Sequence, residues 1–165
     1  MMLAPGARAL ARQDYTGGFA YSLAERVVLS TDYRHMRFND AVVRVVSPSI
    51  EYYFEKPRWL QATFYQAWTD YTAPGLPIAG TRSLSIRYNQ QLNEAILLHA
   101  RYARGNESFS ALSVDRLGKF GANTFTTAAD FKISPSYMTS VFYSYQKRST
   151  GSHQNSFGIS LTVRK

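Results

Sequence analysis

Thr81–Leu92 reads TRSLSIRYNQQL, and its alternation decides the fold class. Leu84, Ile86, Tyr88 and Leu92 share one parity, while Ser83, Ser85, Arg87, Asn89 and Gln91 fill the other. A helix turning about 100° per residue would scatter these side chains around its circumference, whereas a strand sends them to opposite faces. The closing segment repeats the pattern: Phe157, Ile159, Leu161 and Val163 alternate with Ser156, Gly158, Ser160, Thr162 and Arg164. Phe125–Ile133 and Tyr137–Gln146 alternate in the same way.

Outward from these four, weaker alternations occupy Tyr15–Leu23, Val27–Tyr33, Val46–Phe54 and Ile96–Tyr102. Trp59–Tyr71 is aromatic on both parities. About nine strands result, most near the roughly 9–11 residues that cross a bilayer at a tilt. Met1–Asp14, with Pro5, Gly6, Arg8 and Arg12, reads as an irregular segment before a single unit over 15–165. Short connections fall at Ala24–Arg26, Glu55–Arg58, Leu92–Glu94 and Ser134–Ser136. Longer ones are expected at Met36–Asp40, Thr72–Gly80, Gly105–Lys119 and Lys147–Gln154, so that long and short alternate. Such sorting is the pattern of outer-membrane barrels, with tight periplasmic turns and longer outer loops.

Composition agrees with strands and bounds the rest. The 165 residues suit one domain, and the absence of cysteine excludes disulfides and thiolate metal sites. The formal charge of +8 suits an acidic partner. Twelve tyrosines against two tryptophans favour strands and a membrane–water boundary. No run approaches the roughly 20 apolar residues of a spanning helix. Met1–Arg12 lacks the apolar stretch of a signal peptide. With short turns on the periplasmic side, Tyr15–Leu23 lacks an outward-running neighbour. A further N-terminal strand and a signal peptide are therefore expected in a longer form, and a gap or a strained closure in this chain alone.

Ser49–Trp68 (SIEYYFEKPRWLQATFYQAW) resembles a two-strand unit of the YaiO-type outer-membrane barrel family, and Thr81–Ser108 and Ser156–Lys165 are similar to it as well. The resemblance implies an outer-membrane β-barrel and a link to exopolysaccharide export; it carries no catalytic or binding residue with it. Barrels of this class usually end in an aromatic residue, where this sequence has Lys165.

With the apolar parity towards lipid, the lumen would carry Asp32, Arg34, Glu51, Arg87, His99, Arg101, Asp130 and Lys132. Such charges either pair across a narrow lumen or line an anion-selective or sugar-binding path. A serine hydrolase would require something like Ser85, His99 and Glu51 brought together. The three histidines have no metal-ligand spacing. Leu117–Lys119 lacks the phosphate-loop spacing.

The expectation is an antiparallel up-and-down transmembrane β-barrel, incomplete at its N-terminal side, in a bacterial outer membrane. It would be porin-like and non-enzymatic, with a structural or glycan- or solute-passage role, and no cofactor or metal. Its partners would be lipid and lipopolysaccharide, the barrel-assembly machinery and an anionic glycan, but not nucleic acid. The alternatives are a soluble lipocalin-like barrel with the apolar parity inside, and a membrane-embedded lipid-modifying enzyme.

Overall fold

The computed structural model describes residues 11–55, 57–72, 79–106 and 121–163. Nine strands follow one another: β1 (Gln13–Ala24), β2 (Val27–Arg37), β3 (Ala41–Tyr53), β4 (Arg58–Tyr71), β5 (Ala79–Asn93), β6 (Ile96–Asn106), β7 (Gly121–Ser134), β8 (Tyr137–Arg148) and β9 (His153–Val163). Each pairs antiparallel with the next, so the sheet order is the chain order.

The alternation found the strands but not all their ends. β3 begins at Ala41, five residues before Val46, because the valines of Ala41–Val46 (AVVRVV) are apolar on both parities and mask the period. Only Arg44 marks the outer face there, between buried Val43 and Val45. As a result β2 and β3 are joined by three residues, closed by the Phe38 amide donating to the Ala41 carbonyl at 2.8 Å. The supposedly short β3–β4 turn has four. The sorting into long and short connections therefore fails at this point. Most of the expected loops Thr72–Gly80 and Gly105–Lys119, with Lys119 itself, lie outside the described residues, as do Met1–Leu10 and Lys165.

The expected barrel is not formed. Among the described residues β1 pairs only with β2 and β9 only with β8, leaving an open sheet with a gap between the first and last strands. A membrane-spanning sheet must close, because unpaired edge amides and carbonyls in hydrocarbon cost several kcal/mol each. The open sheet overturns the transmembrane-barrel reading. The outer-membrane location and the porin-like passage role that rested on it fall too. It also removes the lipocalin-like alternative, which needs a closed barrel with its apolar residues inside. Leu84, Ile86, Phe157, Ile159 and Leu161 are instead exposed, from 42% for Ile86 to 70% for Phe157.

Among the described residues no second layer covers either face, since the substantial contacts between elements join strands adjacent in the chain. The one compact apolar cluster is small. It gathers Met36, Phe38, Val43, Val45 and Ala67 at the β2–β3 end, with Ala11 and Tyr65 against it. Close approach shapes the other end of the sheet, where Gly158 on β9 leaves room for the Phe142 ring that lies over it from β8.

Two truncations should separate the cluster from the exposed face. Val43→Ala empties a fully buried position and should lower unfolding free energy by about 2 kcal/mol. Ile159→Ala, at a position 66% exposed, should stay within about 0.5 kcal/mol. Urea titration of both variants in nonionic detergent checks the contrast.

Candidate functional site

Cross-strand register carries one parity through the whole sheet. Paired positions share a face, so Asp32 on β2 lies level with Gly18 and Ser47, Glu51 with Gln61, and Gln61 with Arg87. Arg87 is directly opposite Arg101, and Asn89 is opposite His99. By the same register all eight charged residues singled out in the sequence fall on one face: Asp32, Arg34, Glu51, Arg87, His99, Arg101, Asp130 and Lys132. It is the face of an open sheet, not the wall of a lumen.

The structure divides them into groups. Arg34 donates from Nε to both carboxylate oxygens of Asp14, at 2.8 and 3.1 Å, and a terminal guanidinium nitrogen completes the fork. That hydrogen bond holds the Asp14 carboxyl below its ordinary range and raises Arg34. Asp14 had been read as part of an irregular segment, and nothing in its neighbourhood signalled a partner on another strand. Glu51 accepts from the Tyr53 hydroxyl at 2.6 Å and from Gln61 Nε2 at 2.9 Å, and the first of these bonds pushes the Tyr53 phenol up to about 12. Asp32 and Lys132 are exposed and stand apart.

Arg87, Arg101, His99 and Asp130 form the central group, on β5, β6 and β7. Burial, then the facing Arg101 charge, makes Arg87 a weaker base than a free guanidinium, with Asp130, Tyr65 and Glu51 acting in the opposite sense. Arg101 donates to the Tyr65 hydroxyl at 3.3 Å. His99 Nδ1 lies 3.8 Å from Asp130 Oδ2, too far for a hydrogen bond. Burial and the Arg87 charge outweigh that carboxylate and lower the imidazole pKa, so His99 is neutral near pH 7 and the contact is no ion pair. A hydrolytic triad is not assembled: Ser85 is four residues along β5 from Asn89, the partner of His99, or roughly 13 Å. Among the described residues no three His, Asp or Glu side chains converge as metal ligands.

The opposite face is apolar. Between Arg37, Arg44, Asp70, Arg82, Arg104 and Lys147 at one margin and Arg58 at the other, its outward parity carries no charged side chain in the described strands. Tyr102, Tyr143 and Tyr145 border the basic margin and donate or share hydroxyl bonds with Asn123, Asn155 and His153 at 2.7–2.8 Å. In the middle of the band, small Ala100, Thr127 and Ala129 floor a trough of about 620 Å³ whose walls include Tyr88, Tyr143 and Phe157. The apolar parity was legible in the sequence; the largely basic margin emerges only from register, because its members lie on different strands.

Compared with known proteins, this chain matches no family model, no curated protein and no solved structure. The resemblance to the YaiO-type barrel family is accordingly not upheld, and the closed barrel that would define such a family is not formed.

The depressed pKa of His99 has a definite sign. The neutral form is favoured in the folded chain, so the contribution to stability is present above the unfolded value near 6.5 and is lost as pH falls through the lower folded value. Titration of the imidazole proton by NMR should give His99 a midpoint below that of a free histidine, with burial and then the Arg87 charge lowering it against Asp130. His99→Gln should remove that part of the acid destabilisation; an ordinary midpoint would contradict the burial described.

Proposed function

We propose that this chain is a non-enzymatic lipid-binding sheet that lays its apolar face against acyl chains and meets phosphate head groups, those of lipopolysaccharide included, with Arg44, Arg82, Arg104 and Lys147. The observation that carries the reading is the sorting of the two faces. Leu84, Ile86, Tyr102, Phe125, Tyr143 and Phe157 are all more than a third exposed on one face, and contiguous apolar surface of this extent is rare on a soluble monomer. An apolar protein partner would satisfy the band alone. The row of exposed cations along one margin and the tyrosine hydroxyls beside it fit a lipid layer better, since acyl chains meet anionic head groups across a similar boundary. The trough floored by Ala100 and Ala129 has the volume and the apolar lining to take an acyl chain. The separation of Ser85 from His99 supports the non-enzymatic part.

Flotation with vesicles tests this. The detergent-solubilised chain, diluted into vesicles of phosphatidylcholine containing an anionic phospholipid, should float with them. Neutralising Arg82, Arg104 and Lys147 to Gln should weaken binding to anionic vesicles by about 1 kcal/mol per charge, or roughly a hundredfold together, and leave neutral vesicles little affected. Ile159→Asp should reduce binding to both. A chain that stays with the aqueous fraction, or that forms a detergent-free dimer burying this face and ignores vesicles, would sink the reading.

A further inference from the structure

β9 pairs with β8 along the whole of His153–Val163, without a bulge, and among the described residues its other side meets no strand. The Arg148 amide donates to the Ser152 carbonyl at 2.9 Å, which fixes the phase of that ladder. Ser156, Gly158 and Ser160 therefore bond β8, while the amides and carbonyls of Asn155, Phe157, Ile159 and Leu161 point to the open side. Edges of this kind are usually blunted by Lys, Pro, a bulge or a covering segment. His153–Val163 contains no Lys, Arg, Asp, Glu or Pro, and Phe157, Ile159, Leu161 and Val163 are all more than half exposed. The β1 edge is less regular: Gly17 and Gly18 weaken its middle, and its register shifts between Ser22 and Ala24.

The β9 sequence complements itself. Turned end for end and laid alongside a second β9 at full overlap, it opposes Phe157 to Ile159 and Ile159 to Phe157 on the apolar face. On the polar face Ser156 opposes Ser160 and Gln154 opposes Thr162. An aromatic ring beside a β-branched side chain, and a hydroxyl beside a hydroxyl, are favourable cross-strand pairs. Asn155 falls opposite Leu161 and His153 opposite Val163, but both polar groups are already engaged by Tyr143 and Tyr145 of β8, at 2.8 and 2.7 Å. At the centre Gly158 meets its own counterpart. The Phe142 ring lies over that glycine on the polar face, and two such rings, brought side by side, cover the gap that paired glycines would leave.

We propose that the β9 edge is the docking surface for a second copy of this chain, joined as an antiparallel ladder in which Phe157 of each copy faces Ile159 of the other. The open amides and carbonyls of each strand bond those of its counterpart, and the two sheets continue as one, apolar face beside apolar face. The join leaves the broad apolar surface uncovered, so it holds whether or not that surface meets lipid.

Sedimentation of the whole chain in nonionic detergent, without lipid, should show a dimer that dissociates on dilution. The chain has no cysteine of its own, so cross-linking can read the register. Mild oxidation of a mixture of Ser156→Cys and Ser160→Cys chains should link them, because non-hydrogen-bonded partners lie about 4.5 Å apart at Cα, within disulfide reach. Either variant alone should give little product, since its two cysteines would be about 13 Å apart. Ile159→Pro removes an outward amide without touching the β8 ladder, and should weaken the dimer about tenfold or more while the β-sheet circular dichroism is kept. If that variant misfolds, the cross-linking pair decides. A monomer at every concentration, equal linking in the single-variant samples, or a dimer that a folded Ile159→Pro leaves intact, as one through β1 or through the apolar face would be, would each overturn the proposal.

Discussion

Side chains leave a β-strand on alternate sides, and eight successive registers keep that alternation in phase from β1 to β9. A slip of one residue at any ladder would exchange the faces of every strand beyond it. The bulges fall near turns, between Ser22 and Ala24, between Gln91 and Asn93, and between Lys132 and Ser134, where they disturb the ladder last. Both candidate sites depend on this constancy. The basic margin needs Arg82, Arg104 and Lys147 on one side, and the central group needs Arg87, His99, Arg101 and Asp130 on the other.

A sheet of one layer has little interior. Among the described residues its compact cluster occupies the β2–β3 end, and most of the apolar side chains contributed by β5–β9 stay exposed. Backbone pairing and cross-strand contacts hold the strands together, but the hydrophobic term that dominates most folds is left largely unrealised until something covers the apolar face. Stability and lipid contact are thus two aspects of the same burial, while the polar face carries the small apolar cluster beside its bidentate Arg34–Asp14 pair and its engaged Glu51.

Strand number, strand order and the face of all eight charged candidates were legible in the sequence, because period-two alternation is local and survives ignorance of the partner strand. Closure was not. Whether β9 meets β1 depends on accumulated twist and stagger over nine strands, and no residue within Phe157–Val163 encodes it. The β3 boundary was obscured by valines on both parities, and the Arg34–Asp14 pair by sequence distance. Of the central group, Arg87, His99, Arg101 and Asp130 stood out by charge, whereas buried Asn89 is an ordinary polar residue until register puts it opposite His99.

The odd number of strands has a consequence for symmetry. In a meander of nine, the first and last strands point the same way, so the two free edges have the same direction. Head-to-tail addition of one copy to the next, with like faces together, would have to join β9 to a neighbouring β1 through a parallel ladder, unlike any of the eight within the chain. With like faces together, antiparallel joins are possible only between like edges, β1 with β1 or β9 with β9, about a twofold axis normal to the sheet. In the second case, with β9 fully overlapped, the central Gly158 would meet its own symmetry mate, and translation alone could never propagate the sheet by its native kind of pairing.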